Sequence, residues 1–106
     1  FPMFLSAARR TIGGVASFLV ETHVVQGGRG QFTTAVDELR AALREMATLD
    51  SQVRHVRSYL APGDELGFHV VEADSSDAVI RLAKLAGIEV ERIVSAIDID
   101  PDRRSE

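Results

Sequence analysis

The side chains best suited to chemistry in this chain are its three histidines, His23, His55 and His69, with Glu21, Arg57 and Tyr59 close to two of them in sequence. Imidazole nitrogen combined with carboxylate oxygen suits a borderline divalent ion such as nickel, zinc, copper or iron. Cysteine is absent, which removes disulfides, thiolate cages, iron–sulfur ligation and thiol nucleophiles, and leaves the redox compartment unread. No G-x-S-x-G elbow is present to carry a serine nucleophile. Gly27-Gly28-Arg29-Gly30 stands between a strand and a helix, where a phosphate loop would, yet lacks the Gly-Lys-Ser/Thr ending and reads as a flexible turn. Glu72, Asp74 and Asp77 read as cap and dipole partners of a helix rather than an acid/base pair.

Whether the histidines form a site depends on the elements that carry them. The 106 residues are 45% hydrophobic with net charge −4, enough for one domain that buries roughly two thirds of its unfolded surface. That charge argues against nucleic acid as a partner, because phosphate binding needs surplus Lys and Arg. No stretch approaches the ~20 apolar residues of a membrane span. Residues 1–15, apolar at Phe1, Met3, Phe4 and Leu5 and then basic at Arg9 and Arg10, reverse the order of a secretory signal and read as an N-terminal extension, either a short helix that docks on the domain or a partner or a partly ordered leader. The opening Phe1 is taken as a start inside a longer or processed chain.

Periodicity sets out the domain over residues 16–100. Ser17–Val25 is β-branched and aromatic, as a strand should be. Phe32, Val36, Leu39, Leu43 and Met46 are spaced as one helical stripe, with Thr33 or Thr34 as cap and Asp37 and Glu38 in the first turn. Val53–Leu60 and Leu66–Ala73 make a hairpin across Pro62-Gly63-Asp64. Ser75 or Ser76 starts a second helix that Gly87 ends, and Arg92–Ile99 is a last strand ahead of a solvated tail, 101–106. This β-α-β-β-α-β order predicts an α+β, ferredoxin-like fold, an antiparallel four-stranded sheet in the order fourth, first, third, second, with both helices on one face.

Alternation along the strands then assigns faces. Phe18, Val20, Thr22 and Val24 are expected to meet the helices, leaving Glu21 and His23 on the open face. A three-residue hairpin loop pairs Leu60 with Leu66, Ser58 with Phe68 and Val56 with Val70 as a second apolar set. In that register His23, His55 and His69 share the open face, with Arg57 and Tyr59 beside them. Unrelated surface or interface histidines are the competing reading.

Phe18-Leu19-Val20-Glu21, Val56-Arg57-Ser58-Tyr59, Phe68-His69-Val70-Val71-Glu72-Ala73, Ala86-Gly87-Ile88 and Arg92-Ile93-Val94 occur in an order and spacing that resembles a family of small bacterial proteins labelled nickel-binding protein or domain of unknown function. The resemblance runs from about 18 to 99. It implies a ferredoxin-like dimer that binds divalent nickel at its surface, with His69 standing where the family often carries cysteine.

The leading expectation is a non-enzymatic divalent-metal protein, nickel first, that sequesters or handles the ion. Its candidate ligands are Glu21, His23, His55 and His69, oriented by Arg57 and Tyr59. A homodimer in the cytoplasm is expected, with no nucleic-acid partner and no membrane span. Two other classes stay open. One is an interaction subunit that docks through residues 1–15. The other is a small dimeric α/β-barrel enzyme, in which His69 or His55 is an acid/base group titrating away from the ordinary value of about 6.5.

Overall fold

The computed structural model describes residues 15–47, 52–97 and 99. Strands β1 (Ala16–His23), β2 (Val53–Ala61), β3 (Leu66–Ala73) and β4 (Arg92–Ala96) form one sheet in the order β2-β3-β1-β4, and every pairing is antiparallel. Helices α1 (Arg29–Ala47) and α2 (Ser76–Ala86) complete the expected β-α-β-β-α-β order. The fold is the ferredoxin-like α+β arrangement. Among the described residues no helix is long and apolar enough to cross a membrane. The 1–15 extension, apart from Val15, and the 101–106 tail lie outside the described residues.

Two local signals act as the sequence indicates. Ser75 caps α2 by accepting a hydrogen bond from the Ala78 amide at 3.2 Å, and Gly87 ends it with a φ of 73° that a side chain would resist. The first helix differs. It begins at Arg29, one turn ahead of the expected cap, so Thr33 lies inside it and donates to the Arg29 carbonyl at 3.0 Å, and its first turn holds no acidic residue. The Gly27–Gly28 turn, with φ of 78° at Gly27, lets the chain reverse early enough for that extra turn.

The core lies between sheet and helices. Phe18 and Val20 from β1, Val71 and Ala73 from β3 and Ile93 from β4 pack against Leu39, Ala42 and Met46 of α1 and Ala78, Val79, Leu82 and Ala86 of α2. Burying each large side chain contributes about 1.5–3 kcal/mol, so packing holds these helices more than intrinsic propensity does.

The hairpin corrects the expected register. Its connection includes Glu65, which takes a left-handed φ of 56° after the single 3-10 turn Pro62–Asp64. Ala61 therefore opposes Leu66, and Tyr59 opposes Phe68. The extra residue reverses the parity of β3: Gly67, His69, Val71 and Ala73 are buried, and Leu66, Phe68, Val70 and Glu72 take the opposite face. On β2 a bulge between His55 and Arg57 leaves Val56 as the additional residue. His55 and Ser58, three apart, consequently both face the helices.

Candidate functional site

His69 is drawn into the interior by its strand partners. In β3 it sits opposite Val20 on one side and Ser58 on the other, and it is 1% exposed. Phe32, in the first turns of α1, covers it with ring centroids 5.1 Å apart and planes inclined by 14°. Gly67, two residues before His69, makes room for that ring: a Cβ there would stand 2.4 Å from Phe32 Cε1. Backbone register, a glycine and one aromatic thus fix a single imidazole in place.

Ser58 ties His69 to a second ring. The Ser58 hydroxyl lies 2.7 Å from His69 Nδ1 and 2.8 Å from His55 Nε2, and the two rings meet edge to face at 6.2 Å. Without the Val56 bulge, His55 would point to the opposite face and this chain of contacts would not form. Burial disfavours the imidazolium at His69 and, with the nearby His55 adding to it, lowers its pKa to about 4. Burial and the Arg40 guanidinium lower His55 as well, partly offset by a hydrogen bond to the Arg57 backbone. Both rings are therefore neutral at pH 7.

One atom of this arrangement has no partner. His69 Nε2 is buried and makes no hydrogen bond, although a buried polar atom left unpaired costs about 1–3 kcal/mol. His69 and Phe32 also border an open cleft of about 290 Å³ between β1, α1 and the residues after α2, with Thr22, His23, Gln31, Glu38 and Glu89 supplying polar groups around it, so that His23, at the end of β1, reaches the same cleft as His69. Larger clefts of about 370 and 410 Å³ exist beside the Gly27–Gly28 turn and on the open sheet face. The His69 cleft carries the chemistry, because the walls of the other two hold no buried titratable side chain.

The expected ligand set is divided between two faces. Glu21 and His23 occupy the open face, as the alternation of β1 requires. Glu21 accepts from Arg92 Nε at 3.0 Å, and His23 Nε2 lies 3.6 Å from Glu65. His55 and His69 are on the helix face instead, because the bulge and the hairpin connection each shift parity by one residue. Arg57 and Tyr59 stay on the open face and do not orient His69. Among the described residues no three His, Asp or Glu side chains come together as a metal-holding group, so the four-residue centre does not form within one chain. Glu72 is not a helix cap either; it accepts from Arg54 across the strands at 2.8 and 3.1 Å.

Ser58 and Phe32 were not among the expected site residues. One sequence signal points to them. Glu72 shares parity with Leu66, Phe68 and Val70, and placing its carboxylate in water puts His69 and Val71 inside, where Ser58 and the α1 stripe are the available neighbours.

Fold and site together define a ferredoxin-like α+β domain with a buried histidine at the wall of a small cleft. No protein-family model and no curated protein matches the chain. The crystal structure of SCO4226 from Streptomyces coelicolor A3(2) is similar, with a TM-score of 0.61 and 22% identity over 74% of this chain and 91% of that one. At that identity the likeness carries the fold alone.

Proposed function

We propose that this protein is a small-molecule-binding domain whose ligand sits in the cleft beside His69. The observation that carries the reading is the buried, unpartnered Nε2 of His69, a polar atom in want of a partner in a side chain that lines a cavity. At about 290 Å³ the cleft is at the lower end of the ~300–1,000 Å³ typical of ligand pockets, which suits a ligand smaller than a nucleotide. A pKa of about 4 makes His69 a weak base at pH 7. Binding is therefore favoured over acid/base catalysis, and the α/β-barrel enzyme reading takes second place to it. The test is a titration of 15N-labelled protein with small amides, amines, alcohols and carboxylic acids. Shifts are expected at Thr22, Phe32, His69 and Ile88, and their loss in His69→Leu. Shifts confined to the open face, or unaffected by that substitution, would contradict the reading.

The divalent-cation reading, nickel first, keeps a narrower basis. His55 Nε2 and His69 Nδ1 converge on one point, the Ser58 hydroxyl, and neutral imidazoles are the form that ligates metal. The Arg40 charge beside His55 works against a cation there. Calorimetric titration with nickel and zinc tests it: binding lost in His55→Ala and His69→Ala but kept in His23→Ala supports it, and affinity unchanged in the triple substitution refutes it. For the expected homodimer the supporting feature is the exposed Val56, Tyr59 and Ile97 beside the open face, and sedimentation of a Tyr59→Glu variant measures it.

A further inference from the structure

We infer that residues 1–14 of this chain lie across its own open sheet face, with the apolar side of the segment seated in the groove beside Tyr59. The inference is independent of the His69 cleft, which opens between β1 and α1.

The open face carries a continuous apolar surface. Antiparallel pairing aligns Val70 of β3, Leu19 of β1 and Val94 of β4 in one row across the sheet. Val56, Tyr59 and Ile97 flank that row, and Tyr59 and Ile97 are 53% and 79% exposed. With Leu19 and Val70 these three side chains wall the groove of about 410 Å³. Glu72, at its edge, is already engaged by Arg54. Contiguous exposed apolar surface of this kind marks a place that something covers.

Position, length and composition point to the chain's own N-terminal segment. The segment enters β1 at Ala16, and the next residue, Ser17, already lines the groove. Gly13 and Gly14 stand at the junction, where residues without a Cβ let the chain fold back onto the sheet. Phe1, Phe4, Leu5, Ala8 and Ile12 are spaced as one helical stripe, with Arg10 on the opposite side and Pro2 in the first turn, where it is tolerated. A helix over that stripe is about 18 Å long, against about 14 Å between the outer strands of a four-stranded sheet, so a segment starting from β1 reaches Tyr59 on β2. So short a tether gives an effective concentration on the order of millimolar, which favours the segment over a second copy, the occupant a homodimer would supply.

Tyr59 reports on the groove directly, because the chain has one tyrosine and no tryptophan. Acrylamide quenching of its fluorescence is expected to be about twofold weaker in the full chain than in a Phe4→Asp/Leu5→Asp variant, and independent of protein concentration. Unchanged amide shifts at Ala78 and Gly87 establish that the variant keeps α2 and the core. Equal quenching in the two proteins overturns the inference. Protection that grows with protein concentration, in step with a dimer in sedimentation, assigns the groove to a second copy and overturns it as well. A second measurement leaves the apolar stripe intact. The chain has no cysteine, so Ser6→Cys takes a single nitroxide, which is expected to broaden the methyl signals of Leu19 and Val70 more than those of Leu82 and Leu85 in α2. The opposite order, or broadening that passes between copies in a mixture of spin-labelled and isotope-labelled protein, overturns the assignment to the chain's own segment.

Discussion

The two faces of the sheet use the same residue types to opposite effect. On the open face, Arg54 meets Glu72, Arg92 meets Glu21 and His23 approaches Glu65, and one or both partners in each pair are exposed to solvent. On the helix face, His69 and His55 meet across a serine hydroxyl, and His69 is almost wholly removed from water. Water screens the first set, so each pair contributes about 0–1 kcal/mol. Its exclusion from the second turns an ordinary histidine into a hydrogen-bonding group that is neutral at pH 7. The comparison teaches that burial, more than the identity of the neighbours, decides what a histidine does here.

The contrast is sharpest where the cover is removed. Phe32→Ala takes away the ring over His69 and a buried part of the α1 stripe, and is expected to cost about 3–5 kcal/mol in denaturant unfolding. It should also raise the His69 pKa toward its ordinary value. If His69 keeps its low pKa in that variant, Phe32 is not what excludes water from it.

Next in size is the pH dependence of stability. The folded pKa of His69 is about 4 against roughly 6.5 unfolded, so between those values the unfolded chain binds the proton and the folded one does not. Stability from this group is full above pH 6.5, falls by up to roughly 1.4 kcal/mol per pH unit as the pH drops toward 4, and levels off below. Carboxylates add their own slope, so the measured quantity is the difference between the protein and His69→Leu. The variant should lose the dependence in that window.

Smaller again is Ser58→Ala, expected to cost about 1–3 kcal/mol by leaving two ring nitrogens without their shared partner. The smallest effect belongs to the open face. Arg54→Ala should change stability by less than about 1 kcal/mol, and less still in high salt. A loss from Arg54→Ala as large as that from Ser58→Ala would erase the distinction between the faces.

The sequence was most legible where a signal is local. Ser75 and Gly87 mark the ends of α2, the spacing from Phe32 to Met46 marks α1, and Leu66–Ala73 matches β3 residue for residue. Strand order followed from the order of elements. The site was legible in its residue type and not in its geometry. Glu65 in a left-handed conformation and Val56 in a bulge carry no composition cue, since neither is glycine or asparagine. Each moves the chain by one residue, and in a two-residue repeat one residue is enough to exchange the faces. His55 and His69 were rightly placed together on adjacent strands, but on the wrong side of the sheet.

The most direct test of this account is an NMR pH titration of the His69 ring in the intact protein. His69 is expected to titrate at about 4, with His55 also below the ordinary histidine value. A His69 ring that takes up its proton at or above about pH 6.5 would contradict the buried, neutral imidazole on which the cleft reading depends.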